Sequence, residues 1–496
     1  MTAIRSAGHA IGWRGAQLAG TQVISLLRLM VLATLLAPDA FGLVAVASVT
    51  IALLMGVSNL GMVQALVQRP SPTEAEYDIA WTVGMLRAAV VTAVLVLFAP
   101  MAASLFGEPD AGPIVRVMAL RPIIDAAASI GVAKQTRALA FRRLAAMALP
   151  ASAADAVVAI ALAPTLGVWA LVAGTLTGAA IQTLLSYLVA PHRPRFRGDF
   201  GAAAPLVRYG QWILYTGVIS LAGTALTQVA LSRWLGAAAL GKYFVASKLA
   251  FLPSEAAAAV IGAVAFPLYA AYRHDARRSA ATFGSLLAGQ AVLLLPAFAI
   301  LIAVAPLLEG VLGVRWADTA PTIQILVAAC MTGLFGDAIG PLLLGQGRSD
   351  RVFAIEVVQT GVRLLLLIPF IRWFGVPGAA LAWLGGNVAA QVIGVIFMRD
   401  VLRGGLEAVQ WKRLAAALAA AGLAFAAALG AGAVLDGLVG LVGAGLLATA
   451  TAALVLWMLH RQQGLRLQEL APWHSSWSAA GPGALVESAS VPDVVR

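Results

Sequence analysis

A stripe of polar side chains runs along the first long apolar segment of the chain. Its members are spaced by three or four residues, so in an α-helix all of them share one face. They are Arg14, Gln17, Thr21, Ser25 and Arg28. The positions 199 residues further along the chain are Thr216, Ser220, Thr224 and Thr227. Two matched polar stripes predict either the lining of a shared substrate cavity or hydroxyls that bond between packed helices.

Two arginines within apolar segments are the best candidates for binding an anion. A charge at the bilayer centre costs at least about 2.5 kcal/mol, so it normally faces protein or water. Arg28 and Arg87 have no acid at helical spacing, and a guanidinium fork matches the oxygens of a phosphate. Snorkelling to the membrane interface and pairing across helices stay open for both. Lys248 and Arg363 complete the predicted substrate-binding set.

Acidic residues in the apolar segments could neutralise some of these cations. Arg121 and Asp125 are one helical turn apart and are predicted to form an ion pair. The pairs separated by two turns are Lys248 with Glu255 and Glu356 with Arg363. The acids available to bind a coupling proton or sodium ion are Glu255, Asp337 and Glu356.

No constellation typical of catalysis is found in the sequence. The histidines are isolated at loops or at the ends of apolar segments, and Cys330 is the only cysteine. One cysteine excludes an intrachain disulfide and a cysteine metal cluster. The phosphate-binding pattern GxxxxGK[ST] is also missing. We therefore predict no catalytic residue, no metal site and no cofactor, and a protein that is not an enzyme.

The composition indicates which solvent surrounds this chain. Hydrophobic residues make up 61% of the sequence and charged residues 11%, and the mean hydropathy is +0.91. Apolar stretches of about 20 residues, each long enough to cross a bilayer as a helix, recur along the chain. These features predict an all-α integral membrane protein with about 14 transmembrane helices. Their predicted starts are near residues 12, 42, 79, 113, 145, 166, 206, 238, 280, 318, 352, 375, 412 and 438.

The loops between these segments alternate in charge. One set contains "KQTRALAFRR" and "YRHDARR", whereas the other contains "APDA" and "GEPDAG". Basic loops stay on the cytoplasmic side, so both termini are predicted to be cytoplasmic. The net charge of +11 then serves membrane insertion, and no nucleic-acid partner is expected.

A repeat divides most of the chain into two halves. The phrase "LAPDAFGLVAVAS" from Leu36 returns as "LGAAALGKYFVAS" from Leu235, and later matches are offset by up to 208 residues. Six spans in each half predict two six-helix lobes related by a pseudo-twofold axis along the membrane normal. The predicted divisions are a first lobe (1–190), a basic cytoplasmic linker (191–205), a second lobe (206–405), two additional C-terminal helices (406–460) and a disordered cytoplasmic tail (461–496).

Several longer segments carry a family resemblance. They include "LAFRRLAAMAL", "LLLGQGRSDRVFAIE" and "SRWLGAAALGKYFVASKLAFLPSEAAAAVIGAVAFPLYAAY". Over roughly residues 10–400, the chain resembles the polysaccharide-export branch of the multidrug/oligosaccharidyl-lipid/polysaccharide flippase superfamily. Relatives in this branch commonly have an aspartate where this chain has Thr227 and Gln228. Any role of that acid in cation coupling or sugar binding cannot be transferred.

The resemblance implies a Wzx-type flippase. Such a protein moves an undecaprenyl-pyrophosphate-linked oligosaccharide between membrane leaflets by alternating access, for exopolysaccharide, capsule or O-antigen synthesis. Its implied partners are the lipid-linked oligosaccharide, membrane lipids, a polysaccharide polymerase and chain-length-control proteins. Two alternatives remain: a cation-coupled drug or metabolite antiporter of the same superfamily, and a membrane-embedded glycan polymerase or ligase. The short loops disfavour the last of these.

Overall fold

The computed structural model describes most of the chain as helix. The residues it describes are 2–58, 66, 72–138, 140–190, 192–196, 211–272, 275–399, 411–434, 440 and 443–454. Within these residues every regular element is helical and none is a strand. One compact unit comprises Met1–Leu252, Leu308–Ala329 and Ser349–Ala390, and a second comprises Pro253–Leu307, Cys330–Arg348 and Gln391–Arg496. The lobe boundaries at residues 190 and 405 stay a prediction.

In the described part of the chain before the linker there are eight helices. They are α1 (Thr2–Leu35), α2 (Pro38–Val57), α3 (Glu74–Phe106), α4 (Ala111–Met118), α5 (Leu120–Ala126), α6 (Gly131–Arg137), α7 (Phe141–Leu166) and α8 (Val168–Val189). Local sequence explains where α3 begins, because Thr73 and Glu76 form a capping box with reciprocal bonds of 3.3 and 2.7 Å. The helix ends at Gly107, whose φ of 75° favours glycine.

Seven more helices lie among the described residues after the linker. They are α9 (Gln211–Ala271), α10 (Ala276–Leu312), α11 (Thr319–Gly345), α12 (Ser349–Phe374), α13 (Val376–Arg399), α14 (Trp411–Val434) and the short α15 (Gly443–Leu454). A single 3-10 turn, Val314–Trp316, connects α10 to α11. The backbone of α9 leaves helical geometry at Gly236, where φ is 84° and ψ is 174°. This element therefore consists of two helices, 211–235 and 237–271.

The helical content and the apolar lengths confirm an all-α membrane protein. Among the described residues, 11 segments are long and apolar enough to cross a bilayer. One of these segments contains the break at Gly236, which agrees with the two spans predicted near residues 206 and 238. The predicted starts at 206 and 438 themselves lie outside the described residues. The complete arrangement of twelve helices plus two remains a prediction.

The fourth predicted span, from about residue 113, is divided into the three short helices α4, α5 and α6. Pro122 has no N–H to donate to the carbonyl of Met118, the residue at which α4 ends. Between α5 and α6, the backbone N–H of Ser129 bonds to the Ser186 hydroxyl of α8 at 2.8 Å. A bond to a neighbouring helix thus replaces a bond within this one, and hydropathy does not report such an exchange.

Reporter fusions test the predicted topology around this broken segment. We expect fusions after Arg143, Arg197 and Arg278 to report the cytoplasm, because these arginines follow the basic loops. Fusions near Asp110 and Asp318 should report the opposite side. The decisive comparison is Asp110 with Arg143, since α4–α6 must separate them as one crossing. The same location at both positions would show that the span count is wrong.

Candidate functional site

The clearest charged site within the membrane-embedded helices is an ion pair between α1 and α7. Arg28 Nη2 lies 3.0 Å from Asp155 Oδ1. The same nitrogen is 3.4 Å from the Thr175 hydroxyl and 3.5 Å from the Leu171 carbonyl of α8. The two charged side chains are 20% and 26% exposed. Of the alternatives for Arg28, the structure shows cross-helix pairing, and the pair remains accessible at one side.

Two glycines of α8 provide the space for this pair. A Cβ on Gly174 would lie 2.7 Å from Asp155 Oδ1, and one on Gly178 would lie 2.8 Å from the Asp155 Cβ. Any larger residue at either position would push α8 away from Asp155. Close approach of helices through small residues is common in membranes, because it allows polar groups to meet. The sequence gap of more than 120 residues between Arg28 and Asp155 hid this partnership.

The rest of the α1 stripe has a mixed environment. Gln17 is buried and accepts a hydrogen bond of 3.0 Å from Arg14 Nη1. Thr21 donates to the Gln17 carbonyl at 3.0 Å, whereas Ser25 is exposed. Arg14 also lies over the Phe141 ring of α7, with 5.6 Å between the guanidinium carbon and the ring centroid. The stripe therefore alternates between packing against α7 and facing outward.

Arg87 occupies a different environment on α3. Its Nη1 donates to the carbonyl of Ser58 at 3.3 Å, and Ser58 is the residue that ends α2. Helix C-termini leave carbonyls without partners and carry partial negative charge, so a cation there is stabilising. Arg87 is half-buried and retains further guanidinium donors.

The hydroxyl stripe on α9 bonds mainly to its own helix. Thr224 donates to the Ser220 carbonyl at 3.0 Å, and Thr227 donates to the Gly223 carbonyl at 2.8 Å. Thr216, Ser220 and Thr224 are half-buried, whereas Thr227 is only 1% exposed. The Thr227 end of the stripe is thus closed off by packing in this conformation.

Arg363 of α12 is packed against α9 at Gly223, one helical turn before Thr227. Only 2% of this arginine is exposed, and its guanidinium carbon lies 4.5 Å from the centroid of the Trp383 ring. A Cβ on Gly223 would overlap the Arg363 guanidinium, and a Cβ on Gly386 of α13 would lie 3.0 Å from the Arg363 Cβ. Arg363 therefore fills a slot that two glycines leave open between α9 and α13.

A polar network beside this slot is absent from the sequence-based site. Gln359 Nε2 donates to Asn387 Oδ1 at 2.6 Å, and Asn387 Nδ2 donates to the Ala329 carbonyl at 2.9 Å. These bonds connect α11, α12 and α13. Single amides in apolar segments are a weak signal, and only their mutual spacing in three dimensions shows that they cooperate.

The remaining predicted ionisable residues have varied positions. The pair of Arg121 and Asp125 is confirmed, with 3.5 Å between Nε and Oδ2. Thr360 lies between Glu356 and Arg363, because its hydroxyl donates to Glu356 Oε1 at 3.3 Å and accepts from Arg363 Nη2 at 3.4 Å. Three further predicted residues are exposed: Lys248, Glu255 and Asp337.

One histidine that is isolated in sequence belongs to a charged cluster in the structure. His192 Nε2 lies 3.1 Å from Asp78 Oδ1, and its Nδ1 lies 3.2 Å from Lys134 Nζ. Lys134 Nζ also contacts the Glu74 carboxylate at 2.6 Å. The backbone N–H of Arg195 donates to Asp78 Oδ1 at 3.2 Å. The first residues of the predicted linker are therefore held against α3 and α6.

Comparison with known families identifies the chain. The family model described as "Polysaccharide biosynthesis protein" matches residues 31–321, more than half of the sequence. The chain belongs to this family. The match begins at residue 31, so it includes the end of α1 and does not include Arg28. It includes all of α2–α8 and the break at Gly236.

Two relatives of this polysaccharide biosynthesis protein extend the likeness. The lipopolysaccharide biosynthesis protein WzxC of Escherichia coli (strain K12) is 26% identical over 389 residues, covering 76% of this chain and 77% of WzxC. The succinoglycan biosynthesis transport protein ExoT of Rhizobium meliloti (strain 1021) is 26% identical, covering 69% of this chain and 70% of ExoT. Both likenesses span most of each protein.

A solved structure shows that the fold is shared more widely. The lipid II flippase MurJ, in an inward closed conformation, aligns with a TM-score of 0.67 at 13% identity. The alignment covers 91% of this chain and 99% of MurJ. At this identity the likeness establishes the fold of the polysaccharide biosynthesis protein and leaves its residues' roles to be argued from their chemistry.

Proposed function

We propose that this protein is a flippase for a lipid-linked oligosaccharide. It would move an undecaprenyl-pyrophosphate-linked glycan across a bacterial inner membrane by alternating access, with both termini in the cytoplasm. Membership of the polysaccharide biosynthesis family, the transport named for ExoT and the flippase fold of MurJ support the proposal. A polysaccharide polymerase and chain-length-control proteins would use the delivered glycan.

The partly exposed pair of Arg28 and Asp155 is the observation that carries this proposal. A pyrophosphate presents more negative charge and more oxygens than one carboxylate, so it can compete with Asp155 for the guanidinium. Arg28 Nε is buried and has no hydrogen-bond partner among the described atoms, so a movement of the side chain toward the substrate would add one more donor. Asp155 would pair with Arg28 again when the substrate leaves. This competition keeps Arg28 from binding the pyrophosphate too tightly for release.

The other predicted residues would serve the same cargo. Arg87 retains donors beyond its bond to the Ser58 carbonyl, and we assign it a second contact with the pyrophosphate. The half-buried hydroxyls of Ser220 and Thr224 suit neutral sugar hydroxyls, since they can both donate and accept. Thr227 is buried in this conformation, so it would contact cargo only after α9 moves relative to its neighbours. Arg14, Gln17, Thr21, Ser25, Thr216 and Lys248 remain proposed contacts.

Depletion of the protein in its native host tests this function. We expect lipid-linked repeat units to accumulate in the cytoplasmic leaflet, where a membrane-impermeant glycan-modifying enzyme added to intact spheroplasts cannot reach them. Restoring the protein should expose the units within one generation, with unchanged polymer chain length. Repeat units that reach the outer leaflet at the normal rate without the protein would refute the flippase assignment.

The same experiment separates the two alternatives. If the protein were an antiporter, its depletion would leave the distribution of glycan lipids between the leaflets unchanged. Its transport would instead require an ion-binding acid such as Glu255, Asp337 or Glu356. If the protein were a polymerase or ligase, its depletion would allow single repeat units to cross the membrane and would abolish the long polymer. The family match and the two named relatives favour the flippase over both.

A further inference from the structure

The two copies of the repeated phrase contact each other backbone to backbone. Gly42 of α2 approaches Ala237, and a Cβ added to Gly42 would overlap the Ala237 carbonyl oxygen. Gly241 approaches Pro38 in the same way, and a Cβ added there would overlap the Pro38 carbonyl oxygen. Only residues without a Cβ permit these distances, so Gly42 and Gly241 are required by the close approach.

The contact is reciprocal, as a twofold axis requires. Pro38 corresponds to Ala237 and Gly42 corresponds to Gly241, each 199 residues further along the chain. Gly42 of the first copy therefore contacts the residue that matches Pro38, and Gly241 of the second copy contacts Pro38 itself. Exchange of the two copies leaves the pattern unchanged, which is the signature of an isologous contact. The repeat found in the sequence is thus a physical interface.

Apolar side chains extend this interface at the same ends of the helices. Trp316, in the turn before α11, is 1% exposed and donates from Nε1 to the Ala33 carbonyl of α1 at 3.0 Å. Its ring meets Phe41 edge to face, with 5.4 Å between centroids. The second copy of the repeat therefore covers the α1–α2 connection of the first.

We call the edge of this interface, where Ser104 and Glu108 of the first copy meet Ser232 and Arg233 of the second, the rim. Its polar contacts are weak. Arg233 Nη1 donates to the Ser104 carbonyl at 3.2 Å, and both side chains are exposed. The Ser232 hydroxyl lies 3.5 Å from Glu108 Oε1. Desolvation raises the pKa of the Glu108 carboxyl, and bonds from the Ala237 backbone and Ser232 partly oppose that rise. Exposed polar contacts of this kind contribute little to stability. The rim can therefore open without separating a buried ion pair.

We propose that Gly42 and Gly241 form the closing contact of a gate on the side of the membrane opposite the termini. This inference rests on the proposed transport function, because alternating access requires the two copies to separate once per cycle. Glycine permits the tight closed state, and small neighbours such as Ala45 and Ala246, both fully buried, let the helices part without disentangling large side chains. The gate is closed in the structure.

A single-cysteine accessibility experiment tests the gate without any substrate. Cys330→Ser removes the native thiol, and Ala239→Cys places a reporter thiol at a buried position beside Gly241. We expect Gly42→Ala to increase labelling by a membrane-impermeant maleimide added from the periplasm at least about tenfold, since the added Cβ disfavours closure. Alanine is the better helix former, so the effect cannot arise from helix propensity.

Gly84→Ala is the matched control for this experiment. Gly84 is also inside a helix, but a Cβ there would have nothing within 4 Å. Labelling in this variant should equal that of the parent. Equal labelling in Gly42→Ala, at normal abundance, would overturn the gate. A wild-type protein that moves no glycan lipid while Gly42→Ala still exposes the reporter thiol would instead refute the proposed function and retain the gate.

A second variant decides the matter if Gly42→Ala does not accumulate. Ser104→Cys with Arg233→Cys places thiols at two exposed positions across the rim, where folding is not at risk. Joining them with a short cleavable bifunctional thiol reagent should stop glycan export, and cleavage should restore it. Each single-cysteine variant treated alike should export normally. Full export by the bridged protein would overturn the gate, because export would then not require the rim to open.

Discussion

Arg28→Ala is expected to reduce delivery of lipid-linked repeat units to the outer leaflet by about 10–100-fold. A hydrogen bond to a charged group contributes about 1.5–3 kcal/mol, and each 1.4 kcal/mol changes binding about tenfold. Arg28→Lys should retain part of the activity, because lysine keeps the charge and loses the planar fork. Delivery is measured as periplasmic access to the labelled glycan, normalised to the amount of inserted protein.

The exchange of charges between Arg28 and Asp155 separates substrate binding from structural pairing. Arg28→Ala alone leaves Asp155 without its partner, which can reduce the abundance of the protein as well as its activity. The double variant Arg28→Asp with Asp155→Arg restores an ion pair across α1 and α7. We expect it to recover abundance and to remain inactive in export.

The exposed pair of Arg278 and Asp275 is the control for this exchange. Arg278 Nε lies 3.3 Å from Asp275 Oδ2 and the side chains are 70% and 46% exposed, so Arg278→Ala should change abundance and export little. Normal export by the charge-exchanged variant would show that Arg28 acts only as a structural partner of Asp155. Arg87 would then carry the proposed pyrophosphate contact alone.

Gly223→Ala is expected to lower the stability of the protein. The added Cβ would overlap the Arg363 guanidinium and lie 2.6 Å from Thr360 Cγ2. Overpacking of a filled site costs about 1–3 kcal/mol. The Arg363 side chain cannot move aside to relieve the overlap, since it is packed against Trp383 and Gly386. Thermal unfolding of the purified protein in detergent should therefore begin several degrees lower, with a matching fall in abundance.

A double-mutant cycle identifies the cause of this loss. Arg363→Met shortens the clashing side chain, so Gly223→Ala with Arg363→Met should be more stable than the sum of the single effects predicts. Gly217→Ala on the same helix is the control, because a Cβ there meets nothing within 4 Å. Additive effects in the cycle would show that Gly223 and Arg363 do not share one packing site.

Much of the architecture follows from patterns that the chain carries locally. Hydropathy predicted the membrane-spanning helices because each helix must satisfy its own backbone in lipid, so length and apolarity are visible in one dimension. The repeated phrase predicted related halves, and its two glycines proved to be the residues in contact. The pair of Arg121 and Asp125 was predictable because both partners lie on one helix.

The sequence by itself thus determined the class of the protein, its repeat and the helical face of its polar stripe. Tertiary structure alone decided that Arg28 pairs with Asp155, that Arg363 fills a slot beside Gly223, and that the fourth span breaks. The physical reason is the range of the interactions. Helical periodicity orders neighbours within a few turns, whereas the partner of a membrane-embedded charge is chosen by which helices pack together, and that choice depends on small residues distant in the chain.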